Sequence, residues 1–183
     1  MTEAYSIVPV RKFADTKVRL TNVLSREERA SLTKALLRCA VSAQQQSDLR
    51  EILIVSPKPE EVGLFLHDFV KIRVIRESHT HSGVNSAMSD GIQEIRRLPE
   101  ESKVLLMPSD LPFLSTEVIN RIIRLLDEYD LIINPSEKKD GTNLLAFHLS
   151  KMIPLHYNDN SFSKHKKEAE MGKLKFLTID WRE

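Results

Sequence analysis

The chain has 183 residues, 41% of them hydrophobic and 29% charged, with a formal net charge of +1. That balance fits one globular domain and excludes a low-complexity or disordered chain. Near-neutral charge gives no global pull toward nucleic acid or an anionic membrane, the single cysteine excludes an internal disulfide framework, and no apolar run is long enough to span a bilayer.

Without a signal-peptide pattern at the N-terminus, the expected setting is the reducing cytoplasm. Tyr5–Val10 is a short apolar run that predicts the first strand. RKFADTKVRL follows directly and places Arg11, Lys12, Lys17 and Arg19 just past that strand. Such a loop either meets a polyphosphate or is a solvated basic loop. It holds no glycine, so neither the P-loop nor the dinucleotide fingerprint applies, and any phosphate grip rests on side chains.

Ser25 followed by Glu28 has capping-box spacing and predicts a helix running to about Gln46. Leu32, Leu36, Cys39 and Ala43 recur at three- and four-residue intervals and predict its buried face, with Cys39 as a small core hydrophobe. Ile52–Val55 reads as a second strand. Val62, Leu64, Phe65 and Leu66 belong to a short helix, and Ile72, Val74 and Ile75 to a third strand. Strand–helix–strand–helix–strand is the pattern of a parallel sheet with right-handed crossovers.

RESHTHSGVNSAMSDGI comes next. His79 and His81 flank Thr80 without the further ligands a metal site requires. A polar loop that reads a base or sugar through Gly83 and Asn85 competes with a plain helix cap by Asn85 or Ser86.

Val104–Met107 is a continuous apolar run, the look of a central strand buried on both faces. Ser109 and Asp110 follow it, and Pro112 stops the strand. A carboxylate at that position sits where open α/β sheets bind ligands. Asp110 holds a divalent metal on one reading and is a turn aspartate on the other. Ser115 is placed to cap a helix from about Thr116 to Leu126, with Glu117 in its first turn.

Leu131–Ile133 predicts a short strand, and Asp140–Gly141 a turn. Thr142 and Asn143 then enter another strand, where they either bind an anionic ligand or tie down the turn. Ser161 is expected to cap a basic helix closed by Gly172, and its N-terminus is a potential anion site. Lys173–Ile179 predicts the last strand. Phe147 and Trp181 are candidate exposed contacts of a possible homodimer.

Five segments in register resemble one family. IVPVRKFADTKVRL is similar to its opening strand with P-V-K-P-L and A-K-S-R-L, and LSREERASL to its L-S-x-E-E-R-x-x-L. PSDLPFL resembles P-A-D-L-P-L-L, DGTNLLAF resembles G-G-T-N-A-L-L, and SFSKHKKEAEMG resembles S-F-x-x-H-x-x-E-A-x-x-x-G. The family is the 2-phospho-L-lactate guanylyltransferases of deazaflavin coenzyme (F-420) biosynthesis. The resemblance implies a three-layer αβα fold around a mostly parallel, mixed sheet, of the Rossmann-like nucleotide-diphospho-sugar transferase kind. It implies a Mg²⁺-dependent reaction that joins GTP to 2-phospholactate, or to phosphoenolpyruvate, and releases pyrophosphate. Nucleic acid and membrane are not among the implied partners.

Residue by residue, the resemblance implies Asp110 as the metal ligand, and Lys17 and Arg19 as the pair on the GTP phosphates. It implies a nucleotide set of Val10, Arg11, Lys12, Lys17, Arg19, Gly83, Asn85, Ser86 and Ser109, and an acceptor pocket of Thr142, Asn143 and Ser161. The family's glycine-rich tract is here His79–Val84 with one glycine, and its G-P-G-S-F is here NDNSF at Asn158–Phe162. Relatives continue into a D-I-D-T-P-E-D-L segment with a second metal aspartate, which Asp180 does not match. The expectation is one nucleotidyltransferase domain over 1–183 lacking that segment. The alternatives are a nucleotidyltransferase of the same fold with another nucleotide or acceptor, and a non-catalytic GTP-binding protein.

Overall fold

The structure, a computed structural model, describes residues 2–78 and 83–180. His79, Thr80, His81 and Trp181 lie outside the described residues.

Seven strands form one sheet: β1 (Ala4–Pro9), β2 (Glu51–Ser56), β3 (Ile72–Arg76), β4 (Lys103–Leu106), β5 (Leu131–Pro135), β6 (Thr142–His148) and β7 (Phe176–Thr178). Their order is β3-β2-β1-β4-β6-β5-β7. Only β6 runs against its neighbours, pairing antiparallel with β4 (Leu106 opposite Leu145) and with β5 (Ile132 opposite Ala146). Among the described residues, five helices connect the strands: α1 (Arg26–Gln45), α2 (Pro59–Phe65), α3 (Val84–Ile95), α4 (Thr116–Leu125) and α5 (Ser161–Met171).

Strand side chains alternate between two cores. Val8, Ile52, Ile54, Leu105 and Ile132 pack with Leu37 and Val41 of α1, Val62 of α2 and Ile119 and Ile122 of α4. Ile7, Leu53, Val55, Leu106 and Phe147 pack on the other face with Met88 and Ile92 of α3 and Ala169 of α5. The result is the expected three-layer αβα arrangement. Helix α3 lies so close to the sheet that a Cβ on Gly91 would meet Ile7 Cγ2 at 2.5 Å. Among the described residues no helix is long and apolar enough to cross a membrane.

Several local expectations need correction. The capping box at Ser25 and Glu28 forms in full, but the buried face of α1 is Thr33, Leu37, Ala40, Val41 and Gln44. Leu32, Leu36 and Ala43 are only partly buried, and Cys39 is exposed. The inward face carries polar residues near both ends. Gln44 Oε1 accepts from Ser6 Oγ at 2.6 Å and Thr33 meets Thr16 at 2.6 Å, so hydrophobic periodicity alone points one residue off.

Phe147 is fully buried inside the sheet and cannot mark a dimer contact. The last strand is confined to Phe176–Thr178, the residues that pair with Leu131–Ile133 of β5; before it, Lys173 takes a left-handed conformation (φ 52°) where the chain leaves α5. Gly172 itself stays right-handed (φ −74°). Ser161 is not the N-cap of α5 but its first residue; Asn160 occupies the cap with φ 56°. Gly83, not Asn85 or Ser86, precedes α3 at the cap, with φ 132°. That region is open to glycine and strained for other residues.

Candidate active site

Parallel strands β1, β2, β3 and β4 all end at one rim of the sheet. Antiparallel β6 begins there. A cleft of about 710 Å³ opens along this rim, where ligands of open α/β sheets sit.

At one end the cleft is lined by Val55 near the end of β2 and by Glu77, Gly83 and Val84 after β3. Its middle is lined by Val10, Arg11, Lys17 and Arg19 after β1 and by Ser109 and Asp110 after β4. Gly141, Thr142, Asn158 and Ser161 line the other end, where β6 starts and α5 begins. Lys12, Asn85, Ser86 and Asn143 do not line it. Asn85 Oδ1 accepts the backbone N–H of Tyr157 at 2.6 Å, and Asn143 Nδ2 donates to the Pro135 carbonyl at 3.0 Å.

The glycine-free basic loop is held by α1. Its two short 3₁₀ turns span Phe13–Asp15 and Val18–Leu20. Phe13 is buried in the core. Arg29 donates to the Thr16 carbonyl at 3.3 Å and the Leu24 carbonyl at 2.9 Å, and Arg26 to the Ala14 carbonyl at 3.2 Å. Lys17, between the turns, adopts φ 52°, an uncommon backbone for a residue with a Cβ. Its ammonium donates to the Asp110 carboxylate. Asp110 is placed by the buried strand Lys103–Leu106 before it and by the buried anchors Leu111 and Leu114 after it.

A hydroxyl cluster organises the far end. Ser161 Oγ donates to Thr142 Oγ1 at 3.2 Å, and Thr142 Oγ1 lies 2.9 Å from His165 Nδ1. His165 Nε2 accepts the backbone N–H of His156 at 2.9 Å. His165 is fully buried, and burial, helped by the neighbouring His156, pulls its pKa down from 6.5 to about 4. The Tyr157 ring packs edge-on against the His165 ring with centroids 5.2 Å apart.

Sequence reasoning missed Glu77 and His165. Burial raises the Glu77 carboxyl above its ordinary range, reinforced by Asp90 and opposed by the Gly83 N–H and Arg11. Its one sequence signal is its place directly after β3. His165 lay in view inside the helix motif, but no spacing rule ties a mid-helix histidine to a threonine 23 positions earlier.

A magnesium ion bound through a nucleotide needs one or two protein carboxylates and takes its other oxygens from phosphates and water. Asp110, half exposed in the middle of the cleft, fits that requirement. Among the described residues no group of three or more His, Cys, Asp or Glu side chains forms a closed metal cage.

The fold is shared with a Desulfovibrio desulfuricans protein assigned to the nucleotide-diphospho-sugar transferases, at 18% identity and a TM-score of 0.82 over 98% of this chain and 80% of that one. A Mycobacterium tuberculosis protein solved as a manganese complex is more distant, at 14% identity and a TM-score of 0.53 over 98% and 89%. In sequence, the chain is 34% identical over 174 residues to a 2-phospho-L-lactate guanylyltransferase of Methanocaldococcus jannaschii, covering 95% of this chain and 73% of the relative. It is 29% identical over 167 residues to a phosphoenolpyruvate guanylyltransferase of Rubrobacter xylanophilus, covering 90% and 78%. Residues 4–181 match the family described as "Guanylyl transferase CofC like", and the chain belongs to that family.

Proposed function

We propose that the chain joins GTP to a small phosphorylated carboxylic acid, 2-phospholactate or phosphoenolpyruvate, and releases pyrophosphate. The observation that carries this reading is the order of groups along one cleft: a pocket at the ends of β2 and β3, cations and Asp110 in the middle, and hydroxyls with a helix start at the far end. A nucleoside at one end, its triphosphate turned onto the basic loop in the middle, and an anionic acceptor reaching the α-phosphorus from the other end match that order.

In this reading an oxygen of the acceptor phosphate attacks the α-phosphorus of GTP. A new P–O bond forms while the bond from the α-phosphorus to the bridging β-oxygen breaks, and pyrophosphate carries the electron pair away. Arg11, Lys17 and Arg19 hold the phosphates and the departing charge. Thr142 through its hydroxyl, and Ser161 through its backbone N–H at the start of α5, hold the acceptor. Asp110 would hold the magnesium, which, when bound, would supply charge neutralisation at the phosphates. The attacking phosphate, whose second pKa is about 6, is already ionised near neutrality, so no general base is required. Positioning supplies much of the acceleration, up to roughly 7–11 kcal/mol in favourable cases.

The test is pyrophosphate release from GTP, Mg²⁺ and each acid. No release with either acid overturns the proposal, and an Asp110→Asn variant as active as wild type removes Asp110 from the metal role. A binding-only reading is favoured by one observation, the engagement of Asp110 by Lys17. GTP binding without turnover would select it.

A further inference from the structure

The hydrogen inventory around Thr142 is closed on three sides. His165 Nε2 faces a backbone N–H, that of His156 at 2.9 Å, so this nitrogen must present a lone pair. A neutral imidazole with a bare Nε2 carries its hydrogen on Nδ1. Nδ1 therefore donates across 2.9 Å to Thr142 Oγ1. Ser161 Oγ donates to the same oxygen from 3.2 Å. Both lone pairs of the threonine hydroxyl are thus occupied, and its own hydrogen has no acceptor among the described residues. Thr142 lines the cleft.

From this we infer that His165, buried and outside the cleft lining, is a positioning residue: it fixes Thr142 as an obligate hydrogen-bond donor toward the bound acceptor. The site then selects a ligand oxygen that only accepts, as in an ionised phosphate or carboxylate, over a hydroxyl that must also donate. The low proton affinity of the buried ring keeps this polarity across the neutral range. Protonating Nε2 would set two donors against each other at His156 and break the chain of bonds. The inference rests on the proposed acceptor pocket for its ligand but not for its hydrogen inventory.

Two measurements separate them. Nitrogen-15 NMR of the histidine rings in the wild-type chain reads the tautomer directly, with protonated Nδ1 and bare Nε2 expected for His165; the opposite tautomer overturns the inference whatever the enzyme does. Calorimetric titration with phosphoenolpyruvate, alongside steady-state kinetics, reads the consequence. His165→Ala is expected to weaken phosphoenolpyruvate binding about tenfold, with KM for GTP unchanged. His165→Asn, whose amide offers a donor near the Nδ1 position, should recover part of the loss. In a Thr142→Val background the His165→Ala change should add nothing, because its route of action is gone. Equal phosphoenolpyruvate affinity in wild type and His165→Ala, or full additivity with Thr142→Val, overturns the inference. Failure of wild-type protein to bind phosphoenolpyruvate or phospholactate overturns the acceptor assignment instead, and the tautomer then decides the inference by itself.

Discussion

Lys17 and Asp110, 93 positions apart, form an ion pair across the middle of the cleft. The pair joins the loop after β1 to the loop after β4, and its side chains are 24% and 45% exposed. In the proposed metal role of Asp110, an arriving cation competes with the Lys17 ammonium for the carboxylate. Lys17→Met should therefore bind Mn²⁺ without nucleotide about threefold more tightly than wild type, the gain expected from removing a partly exposed competing ion pair. The same variant should lose most turnover. Titration followed by electron paramagnetic resonance checks the first claim; weaker Mn²⁺ binding by the variant would show that the lysine helps rather than competes.

Asn85 spends its carbonyl oxygen on the Tyr157 N–H, tying the segment before α5 to the start of α3. Asn85→Ala should loosen that segment and raise KM for the acceptor several-fold, roughly the worth of one hydrogen bond. The preference for GTP over ATP should stay as in wild type. A collapse of that preference would return Asn85 to the role of base reader.

The buried His165 ring makes folding sensitive to acid. Its folded pKa of about 4 lies below the ordinary 6.5. Between those values the unfolded chain binds a proton that the folded chain refuses, so stability falls as pH drops from 6.5 toward 4. The loss from this group approaches about 3 kcal/mol and levels off below its folded pKa. Urea denaturation at stepped pH should show a shallower slope for His165→Gln than for wild type. Parallel slopes would mean that the ring titrates normally.

Gly91 is the closest approach of α3 to the sheet, with Ile7 Cγ2 at 2.5 Å and Val55 Cγ2 at 3.2 Å from a Cβ built there. The Ile7 side chain is itself fully buried and has little room to yield. Gly91→Ala should cost about 1–3 kcal/mol despite the better helix propensity of alanine, read as a lower denaturation midpoint. A more stable variant would mean that the helix shifts freely on the sheet.

Much of the fold was legible because its signals are local. Apolar runs such as Val104–Met107 report burial on both faces, and Ser25 with Glu28 carries a cap in four residues. The direction of β6 was not legible, since a strand's polarity depends on which neighbours it finds. The face of α1 was misread because Thr33 and Gln44, polar by type, point inward to Thr16 and Ser6. In the cleft, the loop after β1 and the Ser109–Asp110 step announce themselves through their place at strand ends. The His165–Thr142 contact spans β6 and α5 and exists only after both have docked.

One consequence follows from the reversed strand. Because β6 enters the sheet at the rim where its neighbours leave it, Thr142 is delivered by the start of a strand and held by the short hairpin 136–141 before it. Insertions or substitutions in that hairpin would shift the acceptor end of the cleft while leaving the loops after β1, β2 and β3 in place. Under the proposed function, choice of acid can thus drift along a lineage without retuning the nucleotide half, a division of labour set by the polarity of a single strand.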